Sequence, residues 1–300
     1  MGDGSLTDVP GVEVGHWSDP VARTGVTVVA LPVPNVAVVD VRGGAPGTRE
    51  TDVLGAAMRP VSVDAVVLSG GSAFGLAAAD GVVRELARAG RGTSTPAGPV
   101  PIVPSAIVFD LGVGDGSVHP GPSEGAAAWR ARESGPVASG RVGAGTGATV
   151  ANWRGLEAVV DGGVGNAAVE VGGAVVAALA VVNAAGDVFD LEGRPLTGGS
   201  PADVSAPGLP APNAGNTTLV CVVTSAGIGD RNELRRAAVR AHDALGACIR
   251  PVHTRYDGDT VFVVSCGGDE IDIDLFQQAA FVVTGRAIAD AVGPPREGGR

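Results

Sequence analysis

Asn216 and Thr217 stand side by side at the head of the run TTLVCVVTS, directly after a stretch rich in Pro, Gly, Ser and Ala. A Thr that begins a buried strand, preceded by Asn and a long non-hydrophobic approach, is where a self-cleaving precursor would place its nucleophile. Cleavage of Asn216–Thr217 would free an α-amine beside the Thr217 hydroxyl. With an ordinary pKa of about 7.7–8.0, such an amine can act as general base for its own side chain. The same residues also read as plain turn chemistry, Gly-Asn leading into a strand. Further on, Asp257 and Asp259 lie two apart in YDGDTVF. In an extended chain both carboxylates face one side, where they can hold a hydroxyl and an ammonium, and crowding raises one pKa so that it can pass a proton. The competing reading is a D-G turn with solvated acids. An EF-hand is excluded, because the later ligands and the glycine at loop position six are missing.

The elements that must position these residues are short Val/Ala/Ile runs bounded by Gly or Pro. They fall at 25–31, 36–42, 64–70, 105–111, 174–183, 217–225 and 260–266, and they read as strands. Amphipathic helices are expected from near Ser72 and from Asp230, where Asp230 and Glu233 form a capping-box-like pair. A third, IDLFQQAAFVVTGRAIADAV, is nearly apolar throughout, as a helix sandwiched inside a larger assembly would be. Adjacent strand runs without helices between them argue for layers of helix on sheet over an alternating βαβ array. Residues 192–214 break the hydrophobic pattern and read as an exposed linker.

Composition narrows the chemistry. Of 300 residues, 48 are Gly and only 3% aromatic, so the core must be small side chains on closely approaching backbones. The 21 basic residues, all Arg, stand against 32 acids for a net charge of −11. Without lysine there is no Walker A loop, pyridoxal Schiff base or Lys-assisted Ser hydrolase, and the acidic balance argues against nucleic acid or an anionic membrane surface as partner. Cys221, Cys248 and Cys266 sit far apart among apolar residues, as buried thiols of a reducing compartment do. The N-terminal residues lack a signal-peptide pattern and no window approaches a membrane span, so a cytoplasmic protein is expected.

AGNTTLVCVVTS and YDGDTVF together resemble the DmpA-type aminopeptidase/amidase family, which also contains the nylon-oligomer hydrolases. LTDVPGVEVGHW, VDVRGGAPGTRETD, LSGGSAFGLAAADGV, VPIVPSAIVFDL, RVGAGTGATV and AVVNAAGDV extend the resemblance, in order, over nearly the whole chain. It implies a four-layer α/β/β/α sandwich of the DmpA/ornithine-acetyltransferase-like type and one hydrolase domain over residues 1–300. It further implies self-cleavage into a large subunit, 1–216, and a small subunit, 217–300, with the heterodimers assembled into a homo-oligomer. Carried over by position, Thr217 becomes the nucleophile, Asp257 and Asp259 its acidic partners, and Asn183 an oxyanion donor, although Asn183 also reads as a turn cap. Three positions depart from many relatives: Phe109 replaces a Tyr, and Asn152 and Asp161 stand where lysines are frequent. The implied activity is amide or ester hydrolysis through an acyl-enzyme, releasing small N-terminal residues from a peptide, amide or ester substrate, with no cofactor.

Other signals define alternatives. Gly70, Gly71 and Ser72 follow a strand and open a helix, resembling a nucleophile elbow, but Phe74 occupies the final glycine position. A helix N-cap is the other reading of Ser72, with the local N–H groups lining the substrate pocket together with Phe109 and Asn152. VGAGTGATV lacks the spacing of a dinucleotide site and reads as tight packing. His16, His119, His242 and His253 show no metal spacing and read as structural or surface residues, and Asp269–Asp274 as a solvated edge strand or loop. Two other functions stay open on sequence: an unprocessed family member acting as a binding or scaffold protein, and a Ser72-centred hydrolase.

Overall fold

Valine-rich strands with alternate residues turned to opposite faces build two sheets, and each sheet carries two helices on its outer side. The computed structural model describes residues 4–200 and 215–294. In the first sheet the order is β1 (Glu13–Asp19), β2 (Thr24–Ala30), β5 (Ala65–Ser69), β6 (Ser105–Ile107) and β4 (Thr48–Arg49). In the second it is β3 (Val36–Val41), β14 (Thr260–Asp269), β12 (Thr217–Ala226), β10 (Ala174–Asn183) and β9 (Gly163–Val171). Two small ribbons, β7 (Thr149–Val150) with β8 (Val160–Asp161) and β11 (Asp187–Val188) with β13 (Ile249–Arg250), close the edges.

Apolar residues fill three layers. Leu179, Val181, Leu219, Cys221, Phe262 and Val264 meet β1, β2 and β5 residues between the sheets. Their neighbours Ala178, Ala180, Val220, Val222, Val261 and Val263 face α3 (Arg231–Cys248) and α4 (Ile273–Val292). On the far side, Val26, Val28 and Val67 pack on α1 (Ala78–Arg88) and α2 (Pro122–Arg130). The result is the expected α/β/β/α sandwich, with the strict period of two in β10, β12 and β14 deciding which side chain enters which layer.

Glycine lets the layers approach. A methyl group on Gly165 in β9 would collide with the Ala287 carbonyl and the Ala291 amide of α4. Likewise α1 and α2 cross where a Cβ on Gly81 or Gly125 would strike the other helix's backbone. The nearly apolar α4 is accounted for largely within the chain, since Phe276, Ala279, Ala280, Val283, Ala287, Ile288 and Ala291 are all buried.

Several local expectations are corrected. Strands β1 and β9 and helix α2 were not foreseen: β1 carries Glu13, His16, Ser18 and Asp19 among its apolar residues, β9 begins with two glycines in three residues, and α2 has only nine residues. The strand expected at 105–111 ends at Ile107. Gly71, not Ser72, holds the cap position, and the turn Ser72–Ala77 precedes α1. Asp230 caps α3 by accepting from the Asn232 amide at 2.8 Å, but Glu233 turns away to accept from Gln277 at 3.0 Å, so the box is half formed. Within the acidic run, Asp272 is the N-cap of α4, accepting from Leu275 N–H at 3.0 Å. Of the linker expected at 192–214, residues 201–214 lie outside the described residues. Before them, Pro195 bridges Phe189 and Leu196 N–H donates to the Val188 carbonyl at 2.8 Å, so this part is tied to the body.

Cys221 and Cys248 are buried, Cys266 is partly so, and all three are free thiols; burial pushes Cys248 and Cys266 up to about 12 and Cys221 up as well. Among the described residues no helix is long and apolar enough to cross a membrane.

Gly165→Ala forces α4 off the sheet and is expected to destabilise the fold by about 1–3 kcal/mol. Denaturant unfolding measures this, and a change within about 0.5 kcal/mol would contradict the close-contact account.

Candidate active site

Two parallel neighbours, β12 and β14, bring the residues around Thr217 against those around Asp259. Their register, Leu219 opposite Thr260, is carried one step beyond the strands by a bridge between Asn216 and Asp257. In that bridge Asn216 N–H donates to the Tyr256 carbonyl at 3.1 Å, and Gly258 N–H donates to the Asn216 carbonyl at 2.9 Å. The Thr217 hydroxyl donates to that same Asn216 carbonyl oxygen. The peptide carbonyl between Asn216 and Thr217 is therefore held by two donors, one of them the adjoining hydroxyl.

Gly258 has to be glycine for this approach, because a Cβ there would sit 2.8 Å from Thr217 Oγ1. The loop Arg42–Gly47 supports the turn from behind. Gly44 N–H donates to the Thr254 carbonyl at 3.1 Å and Ala45 N–H to the Asp257 carbonyl at 2.8 Å, and a side chain on Gly43 would collide with the Asp257–Asp259 backbone.

The two acids do not share partners. Asp257 accepts from Thr254 N–H at 2.8 Å and from Ala185 N–H at 3.4 Å. Asp259, wholly buried, accepts on one oxygen from Thr218 N–H at 2.6 Å. Its other oxygen takes the His253 N–H at 3.0 Å and the His253 ring Nδ1 at 2.7 Å. Burial first, and the neighbouring Asp259 charge second, push the Asp257 carboxyl up to about 6.

On the other side, antiparallel pairing sets Asn183, the last residue of β10, opposite Thr217. By the alternation of β10 and β12 both side chains continue the inter-sheet face. Asn183 accepts from Thr149 N–H at 2.9 Å and donates one amide hydrogen to the Phe109 carbonyl at 3.0 Å, which leaves a second amide hydrogen for another acceptor. Phe109 packs against Gly215, where an added Cβ would lie 2.9 Å from its own. Asn152 donates to the Ala184 carbonyl at 3.1 Å and to the Thr149 carbonyl at 3.2 Å, so it props the end of β10.

The glycine turn joins the site through Asp110. That carboxylate accepts from Gly71 N–H and from the Thr24 hydroxyl, both at 2.7 Å, and Gly70 packs against it. Burial is the main cause that raises its pKa. Ser72 carries a left-handed φ of 52° and no side-chain cap bond, and His119, which packs against Gly71, stacks on the exposed Phe74 ring. No described hydrogen bond gives the Ser72 hydroxyl a base. Of the expected site residues, Asn183, Asp257 and Asp259 pair with or hydrogen-bond to the residues around the Asn216–Thr217 peptide and Phe109 packs on Gly215, whereas Gly70 and Gly71 contact Asp110 and Asn152 binds Thr149 and Ala184. Sequence reasoning missed Gly258, Asp110, Ala185 and His253; of these only Gly258, fixed between two acids, left a readable trace.

Thr217 is buried, 3% exposed. A surface cavity of about 850 Å³ lined by Asp230, Glu233, Glu270 and Asp272 lies apart from these residues. Among the described residues no three His, Cys, Asp or Glu side chains come together as a metal site.

With this geometry in hand, the likeness to known proteins is specific. The profile of peptidase family S58 matches residues 4–294. An uncharacterized aminopeptidase of Mycobacterium leprae is 43% identical over 295 residues, spanning 89% of this chain and 79% of its own. A 6-aminohexanoate-oligomer endohydrolase of a Kocuria strain is 31% identical over 282 residues, spanning 89% and 75%. In fold, the L-aminopeptidase D-Ala-esterase/amidase of Ochrobactrum anthropi, described as a variant of the Ntn-hydrolase fold, superposes with a TM-score of 0.75 at 21% identity, covering 97% of this chain and 86% of that one. A β-aminopeptidase of a Burkholderia species gives 0.74 at 22%, covering 97% and 87%. A family match over almost the whole length, with relatives above 30% identity across most of both chains, makes this protein a member of peptidase family S58 and a hydrolase of the peptidase/amidase type.

Proposed function

We propose that the chain is an N-terminal-nucleophile hydrolase that activates itself by cutting Asn216–Thr217 and then hydrolyses amide or ester bonds through an acyl-enzyme on Thr217. The reading rests on one observation above the rest, the convergence of the Thr217 hydroxyl and the Gly258 amide on the Asn216 carbonyl oxygen. A nucleophile in contact with the carbonyl it is to attack, and a backbone donor already on the oxygen that becomes negative, are the two requirements of an acyl shift.

In the first step Thr217 Oγ bonds to the Asn216 carbonyl carbon and its proton passes to a carboxylate. Asp257 has the pKa to take it and to give it back. The oxyanion is met by Gly258 N–H. Collapse breaks the Asn216–Thr217 C–N bond, the proton goes to the departing nitrogen, and an ester on Thr217 remains. Water then releases Asn216 as a carboxylate and restores the hydroxyl, now beside a free α-amine that serves as base in turnover.

The buried position of Thr217 supports this order of events. In the intact chain the Thr217 hydroxyl is occupied by the Asn216 carbonyl, and cleavage with withdrawal of the new terminus would free it for substrate. In turnover a substrate acyl carbon replaces that of Asn216, the second Asn183 amide hydrogen supplies an oxyanion donor, and Phe109 forms an apolar wall. The named relatives point to peptides, small N-terminal residues and oligoamides as substrate classes. A large subunit 1–216 and a small subunit 217–300, from a single hydrolase domain, follow from the same reading.

Thr217→Ala is expected to leave one chain of full mass with no amidase activity, while Thr217→Ser still matures; cleavage or turnover by Thr217→Ala would refute the assignment. Below about pH 6 Asp257 is protonated and cannot accept the Thr217 proton, so the rate of self-cleavage should rise with pH through an apparent pKa near 6. Asp257→Asn should remove that limb and slow cleavage by about 10²–10⁴-fold. A wild-type rate that is flat between pH 4 and 8 would assign the proton to another group.

A further inference from the structure

Asp259 does not face the reaction alone, and the group behind it is a histidine that the proposed chemistry has not used. One Asp259 oxygen holds the Thr218 amide, the peptide next to the nucleophile; the other is gripped by both the backbone N–H and the ring Nδ1 of His253. His253 makes this double contact from a left-handed backbone, φ 54°, a conformation uncommon outside glycine. Such strain persists only where surrounding contacts enforce it. Here they do, since Thr254 N–H, one residue on, is fixed by Asp257.

The ring is also held from behind. It meets His242 of α3 edge to face, with centroids 4.9 Å apart. His242 Nε2 is anchored on the Asp40 carbonyl of β3 at 3.1 Å, and burial is the main cause that lowers His242 to about 4. A neutral His242 adds no charge against the His253–Asp259 pair. Arg42 is drawn off to Asp40, at 3.2 Å. The titratable groups in contact with His253 are therefore Asp259 and the neutral His242 ring, with Asp40 and Arg42 beyond His242, and its Nδ1 hydrogen has Asp259 as acceptor.

We infer that His253 is a positioning residue: its Nδ1–H fixes Asp259 so that the other carboxylate oxygen keeps the Thr217–Thr218 peptide in register for attack. Without the ring donor, only the His253 N–H holds that oxygen, Asp259 can rotate, and the Thr218 amide loses its fixed anchor. This inference rests on the proposed role of Thr217 and adds to it a second residue layer reaching from the nucleophile to α3.

The test follows the full chain by intact mass during maturation, with circular dichroism as the check on folding. His253→Ala should fold and cleave itself about tenfold or more slowly, as expected when a reacting group is misplaced by a fraction of an ångström. Added imidazole should speed it, because the ring is partly exposed, at 23% of its side chain, and its vacated site can be refilled. His253→Asn, which keeps a donor, should cleave faster than His253→Leu, which fills the space without one. In the matured protein kcat should fall while KM moves less than about twofold. Wild-type rates in His253→Ala, or equal slowing in Asn and Leu variants without imidazole rescue, would overturn the inference and leave the Thr217 reading standing. If His253→Ala fails to fold, the Asn and Leu pair decides. A wild-type chain that never cleaves would instead refute the Thr217 reading, and this inference with it.

Discussion

The parallel pairing of β12 with β14 is the constraint on which the site depends. It is buried in the centre of the second sheet, flanked by β10 and β3, and held on one face by the inter-sheet core and on the other by α3 and α4. Because the ladder continues past both strand starts into the Asn216–Asp257 bridge, the rigid core dictates where the Asn216 carbonyl, the Thr217 hydroxyl and the Gly258 amide lie. Parallel strands need a long crossover, and α3 supplies it. Its N-cap at Asp230 and its inner face of Leu234, Ala237, Ala238, Ala241 and Leu245 fix the return of the chain into the acidic turn. On the proposed reading the site sits on strand ends, with loops as braces, which gives more exact placement than a site built on loops alone.

Small residues make that placement affordable. The turn carrying Asp257 and Asp259 is in backbone contact with Gly43 and Gly44, the strand end carrying Asn183 leads into Gly186, which touches Arg250 and Pro251, and the Gly70–Gly71 turn rests on Asp110. In each case a β-carbon would push two segments apart. The 3% aromatic content follows from the same geometry, since layers brought this close have room for Val, Ala and Leu but for few rings.

Electrostatics adds a second level. The chain is acidic and lysine-free, and its site holds two buried carboxylates in mutual repulsion. On the proposed reading, cleavage places an ammonium-forming α-amine next to them. There its ammonium form would offset the Asp259 charge, which adds to burial in raising Asp257.

Much of this was legible in the sequence where one period ruled. Strands β10 and β12 begin where the apolar runs begin, because each is buried on both faces and therefore continuous in sequence, and α4 begins with its own nearly apolar run although Leu275, Gln278 and Arg286 on it are exposed. Strands β1 and β9 were hidden by polar and glycine residues that serve edge positions and close helix packing. Thr217, Asp257 and Asp259 could be singled out, since hydroxyl and carboxylate chemistry is written in residue type. Gly258 left a trace as the glycine between the two acids, but its backbone N–H, the brace that Asp110 gives a distant turn and the left-handed φ of His253 have no residue-type signature.

The central claim is that the Asn216–Thr217 peptide is the bond this protein breaks in itself. A denaturing intact-mass spectrum of the freshly purified wild-type chain, followed by sequencing of any new N-terminus, tests it most directly. The account predicts two species of about 21 and 8 kDa, in proportion to 29.4 kDa for the whole, with Thr217 first in the smaller. A single species near 29.4 kDa that persists on incubation at neutral pH, or a new terminus at any other residue, would contradict it.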